Sequence, residues 1–154
     1  MPGKYAKDTS VSVEKSKAEI EQLVIKYGAD GFSTSWRGEL ARIEFMIDER
    51  WVRISLVLPD KNSNEYQFTE TGRERSQPVA YKEWEKSCRS MWRKLKLIIQ
   101  AKLEAVDAGI STVDREFMPD IVMPDQKTLG EHLVGAIGEA YDTGTVKGLL
   151  PEYK

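Results

Sequence analysis

Between residues 32 and 58 the apolar side chains recur at every second position in three consecutive runs. Phe32, Thr34 and Trp36 alternate with serines. Ala41, Ile43, Phe45 and Ile47 alternate with Arg42, Glu44 and Met46. Val52, Ile54, Leu56 and Leu58 then alternate with Trp51, Arg53, Ser55 and Val57, and Pro59 ends the run. Arg37-Gly38-Glu39 and Asp48-Glu49-Arg50 separate the three. A period of two with short connections specifies an antiparallel three-stranded meander. One face of that sheet is wholly apolar, whereas the other carries Arg42, Glu44, Trp51 and Arg53. The apolar face has to be covered, and the flanking segments must supply the helices that cover it.

The flanks have the helical period. Ser12 is an N-cap followed by Glu14, then Ile20, Leu23, Val24 and Tyr27 recur at i, i+3, i+4, i+7 before Gly28 stops the helix. Pro78 opens a long helix that Gly109 closes, about 30 residues and about 45 Å at the helical rise. Ser111 is expected to cap a short helix, TVDREFM, which Pro119 breaks. Thr128-Leu-Gly-Glu131 has the form of a capping box, and Leu129, Leu133, Val134, Ile137 and Tyr141 are read as one face of the final helix. Residues 60–77 are polar and without a clear period, an unusually long connection, although EYQFT is read as a short edge strand. The expected architecture is an α+β domain of order α-β-β-β-α-α-α over residues 12–142. A flexible tail at 1–11 precedes it, and a C-terminal tail at 143–154 follows, docked through Leu149 and Leu150.

A length of 154 residues fits one domain, and four Trp, six Tyr and four Phe supply a core. No run reaches the roughly 18–20 apolar residues that cross a bilayer, so no membrane partner is expected. MPGKYAKDTSVSVEK has no apolar stretch like a secretory signal, and the expected location is cytoplasmic, or the host's cytoplasm for a viral chain. Cys88 is the single cysteine and His132 the single histidine, which excludes cysteine clusters and clustered-histidine zinc sites. Cys88 reads as a buried, inert thiol and His132 as a surface residue. No phosphate-cradling glycine loop is present, because G28-A-D-G31 joins a helix to a strand in the wrong order. No cofactor is expected.

Net charge is −2, but it is distributed in blocks. Residues 72–103 hold 9 basic and 3 acidic side chains, whereas residues 104–154 hold 4 and 10. Within the basic block, KEWEKSCRSMWRKLK (82–96) holds two tryptophans and six cations in fifteen positions. Taking Trp84 as zero and about 100° per residue, Cys88, Met91, Trp92, Leu95, Ile98, Ile99, Leu103 and Val106 fall within about −40° to +100°. Both indoles therefore read as core. Lys82, Lys86, Arg89, Arg93 and Lys96 fall within about 120° to 200°, a stripe about 21 Å long with no acid inside its arc. Such a row repels itself, and a row of phosphates would relieve the repulsion and release counterions. Arg73 and Arg75 extend the stripe in the preceding loop. Arg42, Trp51 and Arg53 offer a second surface for stacking bases, although Glu44 is placed to pair across the strands with Arg53.

Catalytic signals are sparse. Pro119-Asp120 with Asp125-Gln126-Lys127 resembles the PD…(D/E)xK pattern of metal-dependent nucleases, in which two carboxylates hold Mg²⁺ and a lysine orients water. Four residues between the aspartates are too few for the usual supporting hairpin. Asp120, Asp125 and Glu131 read instead as solvated turn carboxylates.

The order α-β-β-β-α resembles a double-stranded-RNA-binding domain in topology. PVAYKEWEK lacks that domain's lysine cluster at its second helix, so the function is not carried over. SVEKSKAEIEQLVIKYGADGF, WRKLKLIIQAKLEAVDAGISTVDREFM and IVMPDQKTLGEHL together resemble a family of small bacteriophage and prophage proteins over nearly the whole chain. The resemblance implies a phage-type setting and supplies no functional residues. The leading expectation is a non-enzymatic accessory protein that binds nucleic acid, most simply DNA without sequence preference, through the basic helix face. The alternative is a protein-interaction module that meets an acidic protein surface or blocks a host or defence protein. In that reading the acidic C-terminal third would make a homodimer. A metal-dependent nuclease is the third reading.

Overall fold

The computed structural model describes residues 9–148, and its backbone changes period where the sequence does. α1 (Val13–Lys26) starts at Ser12, whose hydroxyl accepts the Lys15 amide at 3.1 Å, and Glu14 lies in its first turn. It ends at Tyr27 and at Gly28, where φ of +101° favours a residue without Cβ. β1 (Gly31–Arg37), β2 (Leu40–Ile47) and β3 (Arg50–Val57) form the antiparallel meander in the order β1-β2-β3. Phe32 lies opposite Phe45 and Phe45 opposite Val52, a register that collects the alternating apolar set on one face.

The polar connection after β3 departs from the expected edge strand. Asn64–Gln67 is a helical turn, α2, followed by a bridge between Phe68 and Glu74. The helical turn brings Tyr66 into burial beside α3 (Gln77–Asp107), to which α2 is packed. An added strand would need a free sheet edge alongside, whereas the chain leaves the sheet at Val57. α3 has Pro78 in its first turn, runs 31 residues and ends before Gly109 at φ +72°, as expected from the sequence.

α4 (Val113–Glu116) is capped by Thr112, not Ser111: the Thr112 hydroxyl accepts the Arg115 amide at 3.2 Å, while Ser111 donates to Glu116 at 2.8 Å. A 3₁₀ turn at Met118–Asp120 leads to Ile121 and Val122, which pair with the edge of β3 through a Val122 N–H to Trp51 carbonyl bond of 2.8 Å. Thr128 and Glu131 close the capping box that starts α5 (Leu129–Thr143).

The core lies between the apolar sheet face and two helices. Trp92, Leu95, Ile99 and Leu103 of α3 meet Ile20 and Val24 of α1 and Ile43, Phe45 and Val52 of the sheet. Phe117 closes the cluster edge-on to Phe45, centroids 5.6 Å apart. Burying each such side chain stabilises the fold by about 1.5–3 kcal/mol. The Tyr27 hydroxyl donates to Glu104, which pins the end of α1 to α3 and pushes the phenol up to about 12. This is the α+β arrangement of an N-terminal helix, a meander, a long central helix and shorter C-terminal helices. Among the described residues no helix is long and apolar enough to cross a membrane. Most of the expected N-terminal tail, and the docking of Leu149 and Leu150, lie outside the described residues.

Candidate functional site

The cationic arc of α3 is the first candidate, and its surroundings differ from the open ridge expected. α1 lies along it. Arg93 pairs with Glu19 of α1, and that hydrogen bond, against an opposing desolvation, holds the Glu19 carboxyl below its usual value. Arg89 donates to Glu85, one turn earlier, at 2.8 Å and reaches the Thr9 carbonyl at 3.4 Å. Lys96 donates to Gln100 at 2.9 Å. Lys86 is also engaged, whereas Lys82 stands exposed near the start of the helix. The expected uninterrupted row is therefore divided and partly neutralised by this chain's own carboxylates. The physical reason is that Glu85 borders the arc closely enough to reach into it, and Glu19 arrives from a neighbouring helix.

The flanking cations divide in the same way. Arg75 turns inward and donates to the carbonyls of Glu65 at 2.9 Å and Tyr66 at 3.2 Å, clamping α2. Arg73 remains exposed. On the outer sheet face, Glu44 lies opposite Arg53 at 3.5 Å and accepts the Trp51 indole N–H. The Arg53 guanidinium sits 4.9 Å from the Trp51 ring and donates to the Gln126 carbonyl at 2.9 Å. Arg42 is adjacent on β2, between Ser35 and Ser55. Trp51 and Arg53 are thus in contact and both engaged by Glu44, whereas Arg42 lies two residues along β2 from Glu44 and four from the position opposite Trp51.

Of the carboxylates around the last turn, Asp120 and Asp125 are half-buried, while Glu131 is exposed but engaged in the cap. Asp125 lies 2.7 Å from the His132 imidazole, whose side chain is 12% exposed, so His132 is not a surface residue. Glu131 belongs to the capping box. Asp120 is half-buried, and desolvation raises its carboxyl above the ordinary value despite nearby Lys102. Among the described residues no three His, Cys, Asp or Glu side chains are arranged to hold a metal ion. Burial pushes the Cys88 thiol up to about 11, which leaves little thiolate at neutral pH.

Two further surfaces have no counterpart in the expected site. The first is a cleft of about 750 Å³ between the β1–β2 turn, the segment after β3 and the first half of α3. Trp92 is in the core as expected, but Trp84 is half-buried and lines this cleft, with its indole N–H donating to the Pro59 carbonyl at 2.8 Å. Trp36, grouped by alternation with the core, is 74% exposed at its mouth. It lies near the end of β1, which among the described residues has no strand on its outer side, and strand periodicity gives a residue's face but not whether that face is covered there.

The second surface is α5. Its half-buried positions are Leu129, Gly130, His132, Leu133, Ala136 and Ala140. Val134, Ile137 and Tyr141 form a stripe at i, i+3, i+7, exposed by 70%, 54% and 88%. At about 100° per residue the five positions expected on one face do share an arc of about 140°, and burial divides it: Leu129 and Leu133 are half-buried, while Val134, Ile137 and Tyr141 are exposed. The helix is anchored through its first turn: Gly130 is seated on Pro119, where a Cβ would lie 2.8 Å from the carbonyl oxygen. α5 bears Glu131, Glu139 and Asp142 and no lysine or arginine.

Compared with protein-family models, with curated proteins and with solved structures, the chain matches none. The phage-type resemblance gains no residue-level support from this, and nothing in the geometry above rests on it.

Proposed function

We propose that this chain is a non-enzymatic protein-interaction module that docks through α5. The observation that carries the reading is the stripe of Val134, Ile137 and Tyr141, left in solvent on a helix held to the domain by its first turn. Exposed apolar stripes at helical spacing are the usual anchors of helix-in-groove recognition. Glu139 pairs with Lys147 at 3.2 Å and Glu131 closes the capping box, so Asp142 is the flanking acid that favours an apolar groove with a basic rim. The nucleic-acid reading loses its main support, because Arg89 and Arg93 are already paired within the chain.

The test is a double variant, Ile137→Glu with Tyr141→Ala, compared with wild type by light scattering after sizing chromatography and by partner capture with each chain as bait. Both positions are exposed, so circular dichroism should be unchanged. The expected result is an association, with a second copy or with a captured partner, that wild type makes and the variant loses. Identical behaviour of the two chains would overturn the reading. Salt-sensitive retention on DNA, lost on Arg89→Glu with Arg93→Glu, would return the function to α3.

A further inference from the structure

We infer that the cleft beside Trp36 is a second, independent recognition site, one that takes an arginine side chain presented by an apolar peptide segment. Its walls are aromatic: Trp36 at the mouth, and Tyr81 and Trp84 along one side, these two rings 5.5 Å apart and tilted. Its volume of about 750 Å³ is in the range of built ligand sites and exceeds one side chain, which leaves room for apolar neighbours of the arginine.

The charge at the rim decides what enters. Glu14, Glu39 and Asp60 border the cleft, and none of them makes an ion pair among the described residues. Of the three cations there, one is neutralised by a carboxylate. Arg89 is paired with Glu85, whereas Lys17, 5.0 Å from the Trp92 ring, keeps its charge and with Lys61 opposes the three carboxylates, which leaves the lining with a net charge of −1. A phosphate backbone would meet that excess of carboxylate and be repelled, so stacking of nucleobases on Trp36 is disfavoured. A guanidinium satisfies both features, since it stacks on an indole and forks onto a carboxylate. Glu39 stands across the Gly38 turn from Trp36, on the same rim. Lys17 on Trp92 shows the same cation-on-indole contact already made by the chain's own side chain.

The experiment uses the full chain labelled with nitrogen-15 and follows its four tryptophan indole N–H signals. The probes are acetyl-Leu-Arg-Leu-amide, the citrulline peptide of the same shape, and arginine amide alone. Saturable shifts of the Trp36 and Trp84 signals are expected with the arginine peptide, at least tenfold tighter than with citrulline. Trp51, on the outer face of the sheet, should stay fixed as an internal control. Trp36→Ala and Glu39→Gln, both at exposed positions, should each weaken binding at least fivefold while the dispersion of the spectrum stays that of a folded chain. Equal affinity for the arginine and citrulline peptides, indifference to both variants, or arginine amide binding as tightly as the peptide would overturn the assignment. α5 lies outside this cleft, so failure here leaves its proposed docking role untouched, and the reverse also holds.

Discussion

α3 and α5 are both two-faced helices, and they meet their surroundings in opposite ways. α3 carries its cations on the side along which α1 lies, so Arg93 finds Glu19 and the polar face becomes an internal contact. α5 carries Val134, Ile137 and Tyr141 on a side that nothing among the described residues covers. The charged face is thus the occupied one and the apolar face the open one. Helical periodicity sorts side chains by face, but what a face meets depends on which other element packs there. The difference assigns the two helices different roles. α3 holds the domain together, and α5 is the helix on which the proposed docking role rests.

The comparison would be broken most directly by stability measurements on the two helices. Trp92 is 2% exposed at the centre of the core. Trp92→Ala should cost about 3–5 kcal/mol, read as a lowered urea midpoint at constant slope. Tyr141→Ala should change the isolated chain by no more than about 0.5 kcal/mol. A large loss at Tyr141 would mean that α5 packs against the domain in solution, and the contrast would fail.

The two helices also differ in how far they could be read from the chain alone. The strands, the length of α3 and the capping box of α5 are set by neighbours within a few residues, and there the period, the cap and the glycine stop each specify local structure. α3's inward face was legible for the same reason, since Cys88, Trp92, Leu95, Ile99 and Leu103 recur on one arc. What was not legible is contact across long separations. Glu19 reaches Arg93 from 74 residues away, and Arg53 reaches the Gln126 carbonyl from 73. Trp36 alternates like a core residue but stands beyond the covered part of the sheet. Lys82, Lys86, Arg89, Arg93 and Lys96 share one arc of α3, as the helical period expects, while the partners of Arg89 and Arg93 are not legible from that period.

A sharper test addresses the anchor of α5. Gly130→Ala would place a methyl group 2.8 Å from the Pro119 carbonyl oxygen, a contact that requires backbone to move. The expected cost is about 1–3 kcal/mol, in the range of overpacked sites. Hydrogen exchange should localise it, with faster exchange across residues 129–143 and unchanged protection in the middle of α3. Equal loss in both helices would show that α5 is integrated into the core and would remove the basis for treating it as a docking arm.

The smallest effect concerns the neutralised cations. Glu19→Gln removes the carboxylate that Arg93 pairs with, while leaving an amide of similar shape. A partly exposed pair of this kind contributes about 0.2–1 kcal/mol. The Arg93 hydrogen bond holds the Glu19 carboxyl below its ordinary value in the folded chain. The unfolded chain therefore binds this proton more readily, so the contribution is fully present above the ordinary carboxylate range and is lost as pH falls through the lower folded value. The stability gap between wild type and Glu19→Gln should accordingly close between neutral pH and strongly acidic pH, and a gap that widened on acidification would contradict the pairing. Combining Glu19→Gln with Glu85→Gln also releases Arg93 and Arg89 together. If phosphate-backbone affinity then appears at low salt where wild type has none, the arc of α3 is competent but internally satisfied. If none appears, placement beside α1 rather than charge pairing alone keeps it from nucleic acid.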